Sequence, residues 1–312
     1  MENSNIPSSL KLLAAKVSIQ YYPYEFNNLK CCHHLTQLKV CRHFGECTNY
    51  QMAVDSSHLE CLIKFDHKKV IKYACKCENV NVIKFLCSSD TINDILKYSF
   101  KIGCVKILEF MVTTGLMKIT DIIKNNNWAI RTASRYGHLE IVKHLSLFPG
   151  VNPGDHNNQA IRMASMYGHL DVVKYLASLK SVNPGDFNNS AIICASKQGK
   201  LEVVKFLASL ESVNPGDYKN EAIIRASQKG KLEVVKFLAS LESVNPSDHG
   251  NKAIILACEY GHLKIVEFLT SLKSIDMEIG WNDAIGRARK RENYSMIFHL
   301  EYVQRRRSNL PT

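Results

Sequence analysis

Between residues 158 and 186 the apolar positions fall into two short bursts of helical period, separated by a single glycine. Ala160, Ile161 and Ala164 form the first burst, and the spacing predicts a short helix opened by Asn158 as its cap and closed at Gly168. Leu170, Val172, Val173 and Leu176 form the second, an inward stripe with Asp171 and Lys174 turned to solvent. Val182-Asn183-Pro184-Gly185-Asp186 then breaks the period. Asn before Pro is pushed to extended geometry, and Pro-Gly suits the centre of a type II turn. The predicted unit is therefore helix, tight turn, helix, extended loop.

This unit returns along the chain. Gly137, Gly168, Gly199, Gly230 and Gly261 stand 31 residues apart, each followed by His or Lys and then Leu. A fixed period in this range marks a solenoid of stacked supersecondary units. Ala160, Ala164, Ala191, Ala195, Ala222 and Ala226 recur at matching places and read as packing residues that let helices approach closely. Weaker copies extend the array. Ala53 with His58–Phe65, Ala74 with Val80–Leu86, and Gly103 with Val105–Phe110 carry the second-helix signature upstream, with Ser57 and Glu78 in place of the turn glycine. Downstream, Asn282–Ile285, Ala288, Ile297 and Leu300 repeat the frame with Glu292 at the glycine position. About nine helix pairs are expected over residues 50–303, the most regular five over 125–277.

The run Ala-Ser-x-x-Gly-His/Lys-Leu-Glu-Val-Val-Lys-x-Leu, seen around Gly199 and Gly230, resembles the ankyrin repeat. The family's Thr-Pro-Leu-His opening is replaced by Gln159-Ala160-Ile161-Arg162, Ser190-Ala191-Ile192-Ile193 and Glu221-Ala222-Ile223-Ile224. The period is 31, against about 33 in the family. The match runs through both helices, so the deletion is placed in the finger between repeats. The resemblance implies an all-α ankyrin-type solenoid of stacked helix-turn-helix repeats with shortened hairpin loops. It also implies a non-catalytic module that binds a protein partner through its concave face. Carried over residue by residue, the two places before each turn glycine line that face: Arg135 and Tyr136, Met166 and Tyr167, Lys197 and Gln198, Gln228 and Lys229, Glu259 and Tyr260. Tyrosines mixed with long cations suit a protein interface. The fingertip residues His156, Phe187, Tyr218 and His249 vary likewise. The repeated Leu-Ala-Ser-Leu-x-Ser-Val-Asn-Pro blocks resemble arrays found in giant DNA viruses and amoeboid protists.

Composition adds limits. The 312 residues, 46% hydrophobic, suit one elongated array, divided into an N-terminal segment (1–49), divergent repeats (50–124), regular repeats (125–277), a capping repeat (278–303) and a basic tail (304–312). No run of 18 apolar residues occurs, and the lysine-interrupted start Leu10–Val17 is too short for a signal peptide. A soluble cytoplasmic monomer is expected, in the host cytoplasm if viral, with the nucleus as the other compartment. The eleven cysteines are then reduced packing thiols: Cys194, Cys258 and Cys61 stand where Thr132, Ser134 and Ile141 stand in other copies. Phosphate-loop, nucleophile-elbow and zinc-protease motifs are all absent, so no enzyme, cofactor or metal site is expected. His138, His169 and His262 share one turn position with Lys200 and Lys231, which reads as structural capping. Glu140, Glu202 and Glu233 precede Lys143, Lys205 and Lys236 at i+3, a solvated pattern. The net charge of +11 raises nucleic acid as a partner, but the C-terminal arginines carry no interleaved aromatics, and this reading ranks below protein binding.

The first fifty residues differ in kind. Cys31, Cys32, His33, His34, Cys41, His43 and Cys47 place seven ligand-competent side chains within 17 residues. The number suffices for zinc, but the spacing fits no standard finger, and packing thiols are preferred. Ile6-Pro7-Ser8-Ser9-Leu10, followed by Leu35–Phe44, is similar to the F-box, which implies a substrate adapter of a cullin-type ubiquitin ligase as the alternative function. A capping segment is preferred over it.

Overall fold

The computed structural model describes residues 66–88, 90–275 and 279–308. The zinc and F-box expectations, the upstream copy at 53–65 and the end of the basic tail lie outside the described residues. Those residues form sixteen α-helices and no strand. They belong to two compact units, Met1–Ile122 and Ile123–Thr312.

In the first unit, α1 (His67–Lys76), α2 (Val80–Leu86), α3 (Ile92–Ile102) and α4 (Val105–Thr113) make two helix pairs. The first helices α1 and α3 pack on each other, and so do the second helices α2 and α4. Ile71, Ile83, Leu86, Ile95, Leu96, Phe100 and Ile107 are fully buried between them. Side-chain caps start α1 and α2. Asp66 accepts from Lys68 N at 3.0 Å and Asn79 from Val82 N at 3.1 Å, each satisfying an otherwise unpaired first-turn N–H.

The second unit holds most of α5 (Ile119–Tyr136), then α6 (Leu139–Ser146), α7 (Asp155–Tyr167), α8 (Leu170–Ala177), α9 (Asp186–Gln198), α10 (Leu201–Ala208), α11 (Asp217–Gln228), α12 (Leu232–Ala239), α13 (Asp248–Glu259), α14 (Leu263–Ser271), α15 (Trp281–Lys290) and α16 (Tyr294–Ser308). First helices α7, α9, α11, α13 and α15 pack in succession as one layer, and second helices α6 to α16 as the other. Val172, Val173 and Leu176, with their counterparts in each copy, are buried between the layers beside Ile161 and the recurring alanines. Each pair ends its first helix on a left-handed residue: Gly137, Gly168, Gly199, Gly230 and Gly261 have φ between 69° and 86°. Glu78 and Glu292 adopt the same conformation at φ 53°, as their places in the frame predict.

Three expectations about the junctions are corrected. Gly185 has φ −83° and ψ −4°, so Asn183–Asp186 is a type I turn, closed by Asp186 N–H donating to the Asn183 carbonyl at 3.1 Å. A type II turn needs positive φ there. The glycine answers a different demand: a Cβ on Gly185 would fall onto the carbonyl oxygen of Ser212 in the next repeat. Ser247 fills the corresponding place at φ −88°, so the backbone shape alone does not require glycine.

The second correction concerns Asn158, which does not cap its own helix. His156, Asn157 and Asn158 form a left-handed turn at φ 55°, 57° and 55°, closed by Asn158 N–H to the Gly154 carbonyl at 2.9 Å. Phe187–Asn189, Tyr218–Asn220 and His249–Asn251 repeat it. Left-handed backbone costs about 1–2 kcal/mol per residue for side chains other than glycine, least for Asn. The buried asparagine amide offsets the strain by tying two repeats together. Asn158 Oδ1 accepts from Asn183 N at 3.0 Å while its Nδ2 donates to Asp186 Oδ2 at 2.8 Å. Asn189 does the same with Asn214 and Asp217, and Asn220 with Asn245 and Asp248. Asn127 starts the ladder by donating to Asp155, and Asn251 ends it on the Ile279 carbonyl at 2.7 Å.

Third, the turn histidines stand at the first position before the second helix but make no capping bond to it. His169 Nε2 reaches back to the Arg135 carbonyl at 2.9 Å, and His262 Nε2 to the Gln228 carbonyl at 3.1 Å. Lys200 and Lys231 keep the packing without that bond by lying along the preceding turn glycine, 2.7 Å from where its Cβ would be.

Candidate functional site

The ten residues carried over from the resemblance sit at the C-terminal ends of α5, α7, α9, α11 and α13, the layer of first helices. Packing explains why they are free to vary. The preceding alanine and serine columns, such as Ala164 and Ser165, are buried, and the two places that follow point outward. Arg135, Tyr136, Tyr167, Lys197, Gln198, Lys229 and Tyr260 are exposed, whereas Met166, Gln228 and Glu259 are half-buried. The tyrosines keep 40%, 38% and 46% of their surface, enough for each ring to meet a partner.

Cations and rings meet across this face. The Arg135 guanidinium lies 5.0 Å from the ring centre of Tyr167 in the next repeat and 6.0 Å from that of Tyr136. Lys229 Nζ is 5.9 Å from the Tyr260 ring, and Arg162 is 4.8 Å from Phe187 at the fingertip. Each separation lies within cation–π reach. Tyr136 and Tyr167 also lie nearly parallel to His138 and His169, with centroids 6.4 and 6.5 Å apart. The carboxylates here are already engaged: Glu221 Oε1 accepts from Arg225 Nε at 2.6 Å, and Glu259 pairs with Arg287. The same Arg287 accepts no loss of charge, since its bonds to Asp283 and the nearby Glu259 push its pKa up. Burial pulls Arg131 down, partly opposed by Asp155.

The arrangement brings Arg135, Tyr136 and Tyr167 into one cluster and Lys229 with Tyr260 into another. Lys197 and Gln198 stand between the clusters on α9 without a ring partner among the described residues. Met166 carries its thioether half-buried beside Tyr167 in sequence. The predicted set omits Arg162, Lys290 and Arg291. Arg162 stands in a column that reads Ile193, Ile224 and Ile255 in later copies, and a charge in an apolar column was the available signal. Lys290 and Arg291 occupy the two places before Glu292, so the same frame reaches them one repeat further.

Among the described residues no group of three His, Cys, Asp or Glu side chains is arranged to hold a metal, and no helix is long and apolar enough to cross a membrane. Burial pushes the Cys75 and Cys258 thiols up to about 12, which keeps them protonated and unreactive at neutral pH.

Layered helix pairs with left-handed turn residues and a variable exposed edge define a helical repeat module. The family model Ankyrin repeats (3 copies) matches residues 127–217 and 210–279, and this part of the chain belongs to the ankyrin repeat family. Ankyrin repeats are protein–protein interaction modules and typically non-catalytic. A search of curated proteins gives no match to this chain.

Proposed function

We propose that the chain binds a protein partner through the exposed ends of its first helices, the side that is concave in ankyrin proteins, with Tyr136, Tyr167 and Tyr260 as anchors. The observation that carries this reading is the pairing of half-exposed tyrosines with long cations, Arg135 over Tyr167 at 5.0 Å and Lys229 near Tyr260 at 5.9 Å. Aromatic and arginine side chains supply a disproportionate share of interface energy. The opposite layer differs: from α6 to α14 its exposed acids are met by lysines one turn away, as in Glu202 with Lys205 at 2.9 Å, and its exposed rings, Tyr294, Phe298 and Tyr302, stand on α16. We place this binding in the cytoplasm or nucleus, a reading supported by six cysteines that remain free thiols among the described residues.

Panning a random peptide library on the full chain tests the reading. Selected peptides are expected to lose about 1–3 kcal/mol for each of Tyr136→Ala and Tyr167→Ala, and to ignore reversal of Glu202 and Lys205. The opposite ranking would move the binding to the second-helix layer.

A further inference from the structure

From α6 to α14 each second helix carries one acidic residue and one lysine, whereas α16 carries Glu301 with Arg305, Arg306 and Arg307. Glu140 pairs with Lys143 at 2.8 Å, Glu202 with Lys205 at 2.9 Å and Glu233 with Lys236 at 3.1 Å. The first-helix edge is sorted differently. Its carboxylates Glu221 and Glu259 are taken by Arg225 and Arg287, which belong to the same face. Arg135, Arg162, Lys197, Lys229, Lys290 and Arg291 are left without a carboxylate partner among the described residues. Part of the positive excess of a chain of net charge +11 thus lies along one edge of the repeats.

We propose that this edge takes an extended acidic segment of a partner protein. The inference rests on the binding face argued above and adds the chemistry of its occupant. Charge complementarity selects an anion, because each cation of the row gains a carboxylate it does not find among the described residues. The rings select against stacked bases: Arg135, Arg162 and Lys229 already lie over Tyr167, Phe187 and Tyr260, whose faces a nucleobase would need. Geometry sets the length. From α5 to α15 the row crosses five helix-to-helix steps, each about 8–10 Å. At about 3.3 Å per residue an extended chain covers that span with about 12–15 residues. One acidic residue at roughly every third position meets a cation at each helix of the row except α13, which supplies none of the six.

The test uses the full-length chain and a labelled peptide of about 14 residues, with Glu at every third position and Ser between. An oligouridine RNA of equal length and a peptide with Lys in place of Glu are the comparisons. Fluorescence anisotropy at low and physiological salt is expected to show binding of the Glu peptide that weakens with salt, and none of the Lys peptide. Combined Arg135→Glu, Lys197→Glu and Lys229→Glu should reduce affinity at least about tenfold, while Lys143→Glu, Lys205→Glu and Lys236→Glu leave it unchanged. If the reversed triple does not fold, Arg135→Gln, Lys197→Gln and Lys229→Gln take its place, with a loss in the same direction. Equal losses from both triples would reduce the effect to diffuse net charge and overturn the proposal. So would tighter binding of the RNA through the same three cations, which would make the edge a nucleic-acid site. Library peptides that need Tyr136 and Tyr167 but show no excess of Asp and Glu overturn the acidic occupant and leave the face standing. Peptides indifferent to both tyrosines overturn the face itself.

Discussion

Gly185 and Gly199 lie in one repeat and resist substitution for different reasons. Gly199 holds φ 73°, where a side chain is strained, and a Cβ there would also meet Lys231 Cδ at 2.7 Å. Gly185 holds an ordinary φ of −83° and is excluded from growing by the backbone oxygen of Ser212. A flexible lysine can move aside, but a backbone carbonyl in the next repeat cannot do so without dragging its loop. Gly199→Val is expected to cost about 1–3 kcal/mol through strain. Gly185→Ala is expected to cost about as much through overpacking, although alanine is at home in that conformation. Thermal melts of the two variants check this, and a Gly185→Ala protein as stable as the parent would remove the close approach. Sequence patterning made the first glycine legible, because a residue that closes a helix before a new one begins is a known left-handed position. It left the second illegible, since Pro-Gly states a turn and says nothing about what packs on it.

At the scale of the element, the same contrast recurs between what lies along the chain and what crosses it. Helix positions, the buried alanine columns and the outward Glu–Lys pairs all follow from local period, and the structure has them where the period puts them. The roles of Asn158 and His169 do not follow, because their partners lie 25 to 34 residues away in the neighbouring repeat. An Asn before a helix reads as a cap by every local criterion, and only the left-handed turn turns its amide across the junction. Asn189 is 4% exposed and satisfies both Asn214 N and Asp217. Asn189→Ala strands that N–H and adds left-handed strain, for an expected loss of about 2–4 kcal/mol in a denaturant titration. The ladder also predicts a pH response. The amide of Asn220 and the backbone N–H of His249 hold Asp248 below its ordinary value of 3.8. A depressed folded pKa contributes stability that is full above the unfolded value and disappears as pH falls through the folded one. Acidification below about 4 should therefore weaken the junction between α11 and α13, and Asn220→Ala should flatten that part of the profile. An unchanged acid limb in the variant would show that the Asn220–Asp248 bond does not carry it. The positions of the candidate face came from the frame, and its cation–ring contacts between repeats did not.

For the whole molecule, a repeat that touches only its neighbours makes stability a sum of units and junctions. The junctions of the regular repeats are interchangeable in type. Asn158 meets Asp186 as Asn189 meets Asp217, and Lys200 lies on Gly168 as Lys231 lies on Gly199. Removing residues 186–216 joins Gly185 to Asp217 and offers Asn158 an aspartate and Gly168 a lysine in the same places. The shortened chain is expected to fold with a single cooperative transition and unchanged helicity per residue, at reduced total stability. Removing residues 186–200 alone deletes one first helix and its turn, which leaves α10 without a partner in the other layer. That chain is expected to lose cooperativity, as read by circular dichroism during denaturation. The pair of deletions also bears on binding, because 186–216 contains Lys197. A shortened but folded array that keeps full affinity for the acidic peptide would show that the cation row does not act as one continuous contact. A loss comparable to that of Lys197→Glu would show that each repeat contributes its own step to it.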